Sequence, residues 1–213
     1  SAAPKAVLHS LGNHYYSALG SNRNLPVRSG DAWEWSLPFN HFGVFQILFR
    51  CFLGGATIAL PGASRDAPVT HVSMVATQLR RLVQSLEDDV DLIPPRHVLL
   101  GGGPVPETLL ARALHGGVNV LCTYGSTEMT SQVTTVAPNA PTAERLTAGR
   151  PLRYRELRIA EDGEILVRGQ TRFLGYVDGE SVEAPFDSDG WFATGDLGRI
   201  DDGGCLIVQG RKD

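Results

Sequence analysis

Val118-Asn119-Val120-Leu121-Cys122-Thr123-Tyr124-Gly125-Ser126-Thr127-Glu128 runs from a short apolar stretch into a glycine, two hydroxyls and a carboxylate. Val118 to Cys122 has the length and composition of a buried strand. In open α/β sheets ligands bind at the carboxyl end of such strands, which is where Ser126, Thr127 and Glu128 stand. A hydroxyl followed by an acid is also the punctuation of a helix start, so a helix is expected after Gly125. Its N-terminus would favour an anionic group such as phosphate. Without a ligand the same residues read as a capping box.

Outward from this stretch the chain shows two textures. Up to about residue 138, short apolar runs alternate with helical patterns: Trp33 to Leu37 then Val44 to Leu53; Ala56 to Leu60; His71 to Val75 then Thr77 to Leu86; His97 to Leu100 then Pro106 to Leu114. That alternation predicts an α/β fold, a parallel sheet with flanking helices. Beyond about residue 145 come brief extended pieces at Glu156 to Ile159, Glu164 to Arg168, Trp191 to Ala193, Gly198 to Asp201 and Cys205 to Gln209. Asp162-Gly163 and Asp202-Gly203-Gly204 are hairpin signals, so a β-rich, barrel-like subdomain is expected over 139–213, after an α/β subdomain over 1–138. Ala137-Pro138-Asn139-Ala140-Pro141-Thr142 is the linker between them. In the helix after His41, Phe45, Leu48, Phe49 and Phe52 recur at three- and four-residue steps and predict the core-facing stripe. Gln46 and Arg50 share another face one turn apart, which is expected to look into a pocket.

At 213 residues and 42% apolar content the chain can bury a real core. A formal net charge of -4 supplies no basic field, which argues against nucleic acid as a partner. The longest apolar stretch, Phe42 to Leu60, is interrupted by Gln46, Arg50 and paired glycines, so no membrane span is expected. The three cysteines are far apart and set among apolar residues, which predicts reduced packing thiols and a cytoplasmic location. His9, His14, His71, His97 and His115 share no metal-ligand spacing and read as structural or surface residues. The oligomeric state is left open.

Further motifs accompany Tyr124-Gly125-Ser126-Thr127-Glu128, in order: Ser1-Ala2-Ala3-Pro4-Lys5 before it, and Asp189-Gly190-Trp191-Phe192-Ala193-Thr194-Gly195-Asp196 and Gly210-Arg211-Lys212-Asp213 after it. With this series the chain resembles the adenylate-forming (AMP-binding) acyl-CoA synthetase family over its whole length. Within that family Ser36-Leu37-Pro38, His41, Arg50, Leu99-Leu100-Gly101-Gly102 and Cys122-Thr123-Tyr124-Gly125 look closest to the o-succinylbenzoate-CoA ligases of menaquinone synthesis. Ala2 departs from the family's phosphate loop, which has glycine there.

The resemblance implies an ATP- and Mg2+-dependent enzyme that activates a carboxylic acid as its acyl-adenylate and then forms a thioester with CoA. It implies Lys5 on pyrophosphate and Gly101, Gly102 and Gly103 along the acid and adenine pocket. It implies Tyr124 beside adenine with Gly125 and Ser126 in the same loop, Thr127 near the α-phosphate and Glu128 on Mg2+. Asp196 and Arg211 would clamp the ribose, His41 and Arg50 would border the acid, and Asp213 would be the hinge to a small C-terminal domain. A guanidinium at Arg50 suits an acid that keeps a second carboxylate. In this comparison the family's first portion and its small domain lie outside the sequence, so the chain by itself is expected to bind nucleotide weakly and not to complete catalysis. Two other readings stand beside this one: an adenylating enzyme for another aryl or acyl acid or for a carrier-protein thiol, and a non-catalytic nucleotide-binding relic.

Overall fold

The computed structural model describes residues 5–37, 43–60, 68–89 and 91–212. The chain begins with strand β1 (Ala6–Leu8), helix α1 (Leu11–Asn24), β2 (Ala32–Glu34), α2 (Gly43–Gly54), β3 (Thr57–Ala59), β4 (His71–Met74), α3 (Ala76–Asp88), β5 (His97–Leu100), α4 (Glu107–His115) and β6 (Val120–Ser126). A 3-10 turn, Thr127–Met129, leads into β7 (Ser131–Thr135), a short helix α5 (Thr142–Arg145) and β8 (Arg150–Pro151). Then come β9 (Arg155–Ile159), β10 (Glu164–Gly169), β11 (Gly175–Asp178), β12 (Ser181–Glu183), β13 (Phe192–Ile200) and β14 (Leu206–Arg211). Among the described residues no helix is long and apolar enough to cross a membrane.

Seven strands form one mixed sheet in the order β3-β2-β4-β5-β6-β7-β8, parallel from β3 to β6 and antiparallel at β7 and β8. Both faces are covered, and the strands show it residue by residue. Val98 and Leu100 of β5 and Val120 of β6 pack with Leu79, Val83, Leu109 and Leu110 of α3 and α4. The alternating Leu99 and Leu121 pack instead with Trp33 and with Ile47 and Cys51 of α2. A strand buried on both sides must be apolar at every position, which is why these runs carry no polar alternation. The antiparallel strands β14-β13-β10-β9 curl as a half-barrel about a separate core of Ile165, Val167, Phe173, Phe192 and Leu206.

Several details differ from the sequence-based expectations. Strand β6 does not stop at Cys122 but runs to Ser126, and no α-helix follows: the 3-10 turn closes with Thr130 and Ser131 at φ 54° and 119°, and the chain returns as β7. Gly125 permits that return, because a Cβ there would overlap the Ser131 carbonyl. In α2 the expected apolar stripe is turned outward, with Phe45 47% and Phe52 80% exposed, while Val44, Gln46, Ile47, Arg50 and Cys51 are buried. The helix is apolar nearly all round, so periodicity could not choose a face; hydrogen bonds at Gln46 and Arg50 chose it. Trp191 to Ala193 and Gly198 to Asp201 prove largely one strand, β13, with a register irregularity at Leu197/Gly198.

Two strands also cross the expected division at residue 138. β8 adds Arg150–Pro151 to the seven-stranded sheet, and β1 pairs antiparallel with β11, Val7 opposite Tyr176. Helix α1 went unread because its buried face is polar: Asn13, Ser17 and Ser21, at four-residue steps, bond to the Gln170 carbonyl, the Thr130 carbonyl and Gln132 Oε1.

Candidate nucleotide-binding site

The carboxyl ends of β4, β5 and β6 open on a cavity of about 440 Å3. Ser73, Val75, Gly101, Gly102 and Thr123 line it from the parallel strands, and Arg50 from α2. Gly125 to Glu128 and then Ser131 and Gln132 follow along the β6–β7 connection, while Asp196 and Arg211 enter from β13 and β14. Gly102 turns the chain out of β5 at φ +86°, a conformation a side chain rarely adopts. Ser126 Oγ is buried here with no hydrogen-bond partner among the described residues.

Asp196 is fixed from both sides. Tyr124 donates its hydroxyl to Oδ2 at 2.7 Å, and Arg211 donates to Oδ1 at 3.0 Å from the residue directly across the β13–β14 ladder. Burial, with the Asp196 carboxylate beside it, raises the Tyr124 pKa, so the phenol stays a donor. A carboxylate held rigid in this way keeps acceptor capacity for a pair of sugar hydroxyls.

At the other end of the cavity the 3-10 turn is gripped from outside. The Phe173 amide donates to the Glu128 carbonyl at 2.7 Å, and His9 Nε2 lies 2.8 Å from the Thr127 carbonyl oxygen. Burial depresses the His9 pKa, with the Thr127 carbonyl and the Glu128 charge opposing it. Tyr176 donates its phenol to Glu128 Oε1 at 2.8 Å, and Lys5 Nζ sits 4.6 Å from the centre of the Tyr176 ring. Burial and then the Glu128 contact raise the Tyr176 pKa, which keeps that hydroxyl protonated too.

Among the described residues no group of three or more His, Cys, Asp or Glu side chains could cage a metal. One carboxylate with a neighbouring hydroxyl, Thr127, is however the donor set on which Mg2+ arrives with a phosphate ligand, since Mg2+ keeps water and phosphate oxygens in its octahedron.

Arg50 is 2% exposed and lines the cavity wall. Its Nη2 donates to Gln132 Oε1 at 2.6 Å and Ser131 Oγ at 3.4 Å, its guanidinium stands 5.0 Å from the Trp33 ring centre, and Nε has no partner among the described residues. None of the ion pairs among the described residues reaches it. Burial brings its pKa down to about 10, so it remains charged at neutral pH. Gln132 is held in turn by Ser21 Oγ at 2.7 Å and by its own amide on Thr135 Oγ1 at 2.6 Å.

Of the residues singled out from sequence, Gly101, Gly102, Gly125, Ser126, Thr127, Glu128, Arg50, Asp196 and Arg211 meet at this cavity. Tyr124 joins through Asp196 and Lys5 through Tyr176, whereas Gly103 is not in the wall. His41 and Asp213 lie outside the described residues. Sequence reasoning missed Tyr176, His9 and Gln132 as site partners. Tyr176 and His9 stand 48 and 118 residues from the groups they bond, with no local spacing to betray them.

A sheet that presents its carboxyl edge to one cavity, with a hydroxyl-carboxylate turn at one end and a clamped carboxylate at the other, is the place where open α/β folds take their ligands. The chain matches the family described as AMP-binding enzyme over residues 2–177, and it belongs to that family. It is 36% identical to the 2-succinylbenzoate--CoA ligase of Bacillus licheniformis over 98% of its own length and 47% of that protein. Among solved structures it resembles o-succinylbenzoate CoA synthetase from Bacillus subtilis in complex with the acyl-adenylate intermediate OSB-AMP, at TM-score 0.86 and 36% identity, covering 100% of this chain and 47% of that one. The same enzyme in complex with ATP and magnesium ion gives TM-score 0.83 and 34% identity, covering 98% of this chain and 47% of that one. The chain thus spans about half the length of the curated relatives it matches.

Proposed function

We propose that this chain forms the nucleotide- and acid-binding core of an AMP-forming acid-CoA ligase acting on o-succinylbenzoate. The observation that carries the reading is Arg50, a buried cation whose hydrogen bonds go to neutral partners, in the wall of the cavity that Glu128 and Asp196 share. An acid with a second carboxylate supplies the missing counter-charge while its first carboxylate reaches the nucleotide. The likeness to 2-succinylbenzoate--CoA ligases supports the same assignment.

In this reading Asp196 and Arg211 hold the ribose, and Tyr124 braces Asp196 beside the adenine, with Gly101 and Gly102 as the opposite wall. Thr127 and Ser126 offer hydroxyls to the α-phosphate, Glu128 takes Mg2+, and Lys5 meets the departing pyrophosphate. His41 borders the acid and Asp213 serves as the hinge. When bound, Mg2+ neutralises charge on the phosphate oxygens. The acid's carboxylate oxygen attacks the α-phosphorus and pyrophosphate leaves; the CoA thiolate then attacks the acyl carbonyl and AMP leaves. Both steps gain from positioning of the reacting groups in one cavity. The free, unpaired cysteines support work in a reducing compartment, the cytoplasm.

Full-length protein supplied with o-succinylbenzoate, ATP and CoA should release AMP and pyrophosphate in equal amounts. Release of ADP, or equal turnover with benzoate in place of the dicarboxylate, would count against the assignment.

A further inference from the structure

Tyr176 contacts the Glu128 carboxylate from outside the cavity wall and has no part in the steps above. Its hydroxyl occupies Glu128 Oε1 at 2.8 Å, and its ring is wedged edge-on against Phe173, centroids 4.9 Å apart. The Phe173 amide holds the Glu128 carbonyl at 2.7 Å, so the 173–176 segment grips both the main chain and the side chain of the same residue. Pairing of β11 with β1 places Val7 opposite Tyr176 and brings the Lys5 ammonium over its ring. The phenol therefore cannot swing away without disturbing three neighbours.

We propose that Tyr176 sets the metal preference of the site, holding Glu128 so that one carboxylate oxygen, Oε2, faces the cation. The inference rests on the reading of Glu128 as the metal carboxylate. Mg2+ needs a near-ideal octahedron at short range and takes one oxygen from a carboxylate, whereas Ca2+ is larger and readily takes both. With Oε1 already accepting from the phenol, Glu128 presents its unshared Oε2 to the first ion, whereas two-oxygen capture of the second has to share or strain a charge-assisted hydrogen bond. Tyr176 is thus a positioning residue that acts through Glu128.

Calorimetric binding of ATP to the full-length protein, with Mg2+ or Ca2+ as the cation, reads this directly. The unaltered protein should bind Mg·ATP about tenfold or more tighter than Ca·ATP. Tyr176→Phe, which removes one oxygen atom, should weaken Mg·ATP by roughly 3- to 10-fold and collapse the Mg2+/Ca2+ ratio towards one while metal-free AMP binding is retained. Equal affinities for the two complexes in the unaltered protein would overturn the proposal. So would a preserved ratio in Tyr176→Phe, or a parallel loss of metal-free AMP binding. Glu128→Gln separates the two layers: if it leaves the ratio intact, the reading of Glu128 itself fails, and if it abolishes the ratio while Tyr176→Phe does not, only the role of Tyr176 falls.

Discussion

Arg50 stores a cost that binding can repay. A guanidinium buried against Gln132 and Trp33 has lost hydration without gaining a counter-ion among the described residues. Replacing it with an apolar side chain of similar length should leave the fold equally stable or firmer, because the desolvated charge disappears. If the proposed function holds, the same change removes the partner of the acid's second carboxylate, at a loss of about 2–4 kcal/mol in kcat/KM. Arg50→Met is therefore expected to melt no lower than the parent, to bind AMP as before, and to show a KM for o-succinylbenzoate raised at least tenfold. Steady-state kinetics beside thermal melting check both halves; a fall in melting temperature with unchanged KM would mark Arg50 as structural. His41, read from sequence as its companion, lies outside the described residues.

Among the elements, strand β4 carries an acid-sensitive joint. His71, its first residue, is 1% exposed, stacks on Trp33 with ring centres 5.1 Å apart, and faces Thr70 Oγ1 through Nδ1 at 2.7 Å while Nε2 has no partner. Burial brings its pKa down from 6.5 to about 4, with the neighbouring His97 adding to the fall. The folded state then binds fewer protons than the unfolded one between these values. Stability from this group is complete above the unfolded value and is lost as pH drops through the window, by up to roughly 1.4 kcal/mol per pH unit. Denaturant unfolding at pH 7 and pH 5 should show a smaller loss in His71→Asn, which can keep the contact to Thr70, than in the parent.

Element by element, legibility followed chemistry. β5 and β6 were readable because strands buried on both faces must be uniformly apolar. The Asp162-Gly163 and Asp202-Gly203-Gly204 turns were readable because the hairpins demand those residues. The facing of α2 was not, since its burial is decided by hydrogen bonds to side chains on other elements, and α1 was not, since it packs by a polar stripe. The return of β6 into β7 was hidden for a further reason: Ser126-Thr127-Glu128 suits a helix start locally, and the positive φ angles at Thr130 and Ser131 override it.

For the whole molecule, Glu128 in the turn between β6 and β7 and Asp196 on β13 face one cavity, and the proposed function has a single nucleotide bridge them. Hydrogen exchange on the full-length protein should therefore slow together in 120–135 and 192–211 when AMP and Mg2+ are added. Bound nucleotide at 100 times its Kd stabilises the native state by about 2.7 kcal/mol. Protection confined to one of these segments would mean that the two halves do not share a ligand. The order of motifs along the chain was visible in the sequence, as was the change of texture near residue 145. Their closure was not, because β1 finds its partner at β11, some 170 residues further on, and nothing local announces a pairing of that span.

That long-range closure has a consequence for how the protein is made. Lys5 leaves the ribosome well before the strand that steadies it, some 170 residues further along the chain, and the clamp of Asp196 by Arg211 is completed later still. The nascent polypeptide can bury the strands from β2 to β6 while the cavity is still unbuilt, so the nucleotide proposed for it stabilises the completed fold and not its early stages.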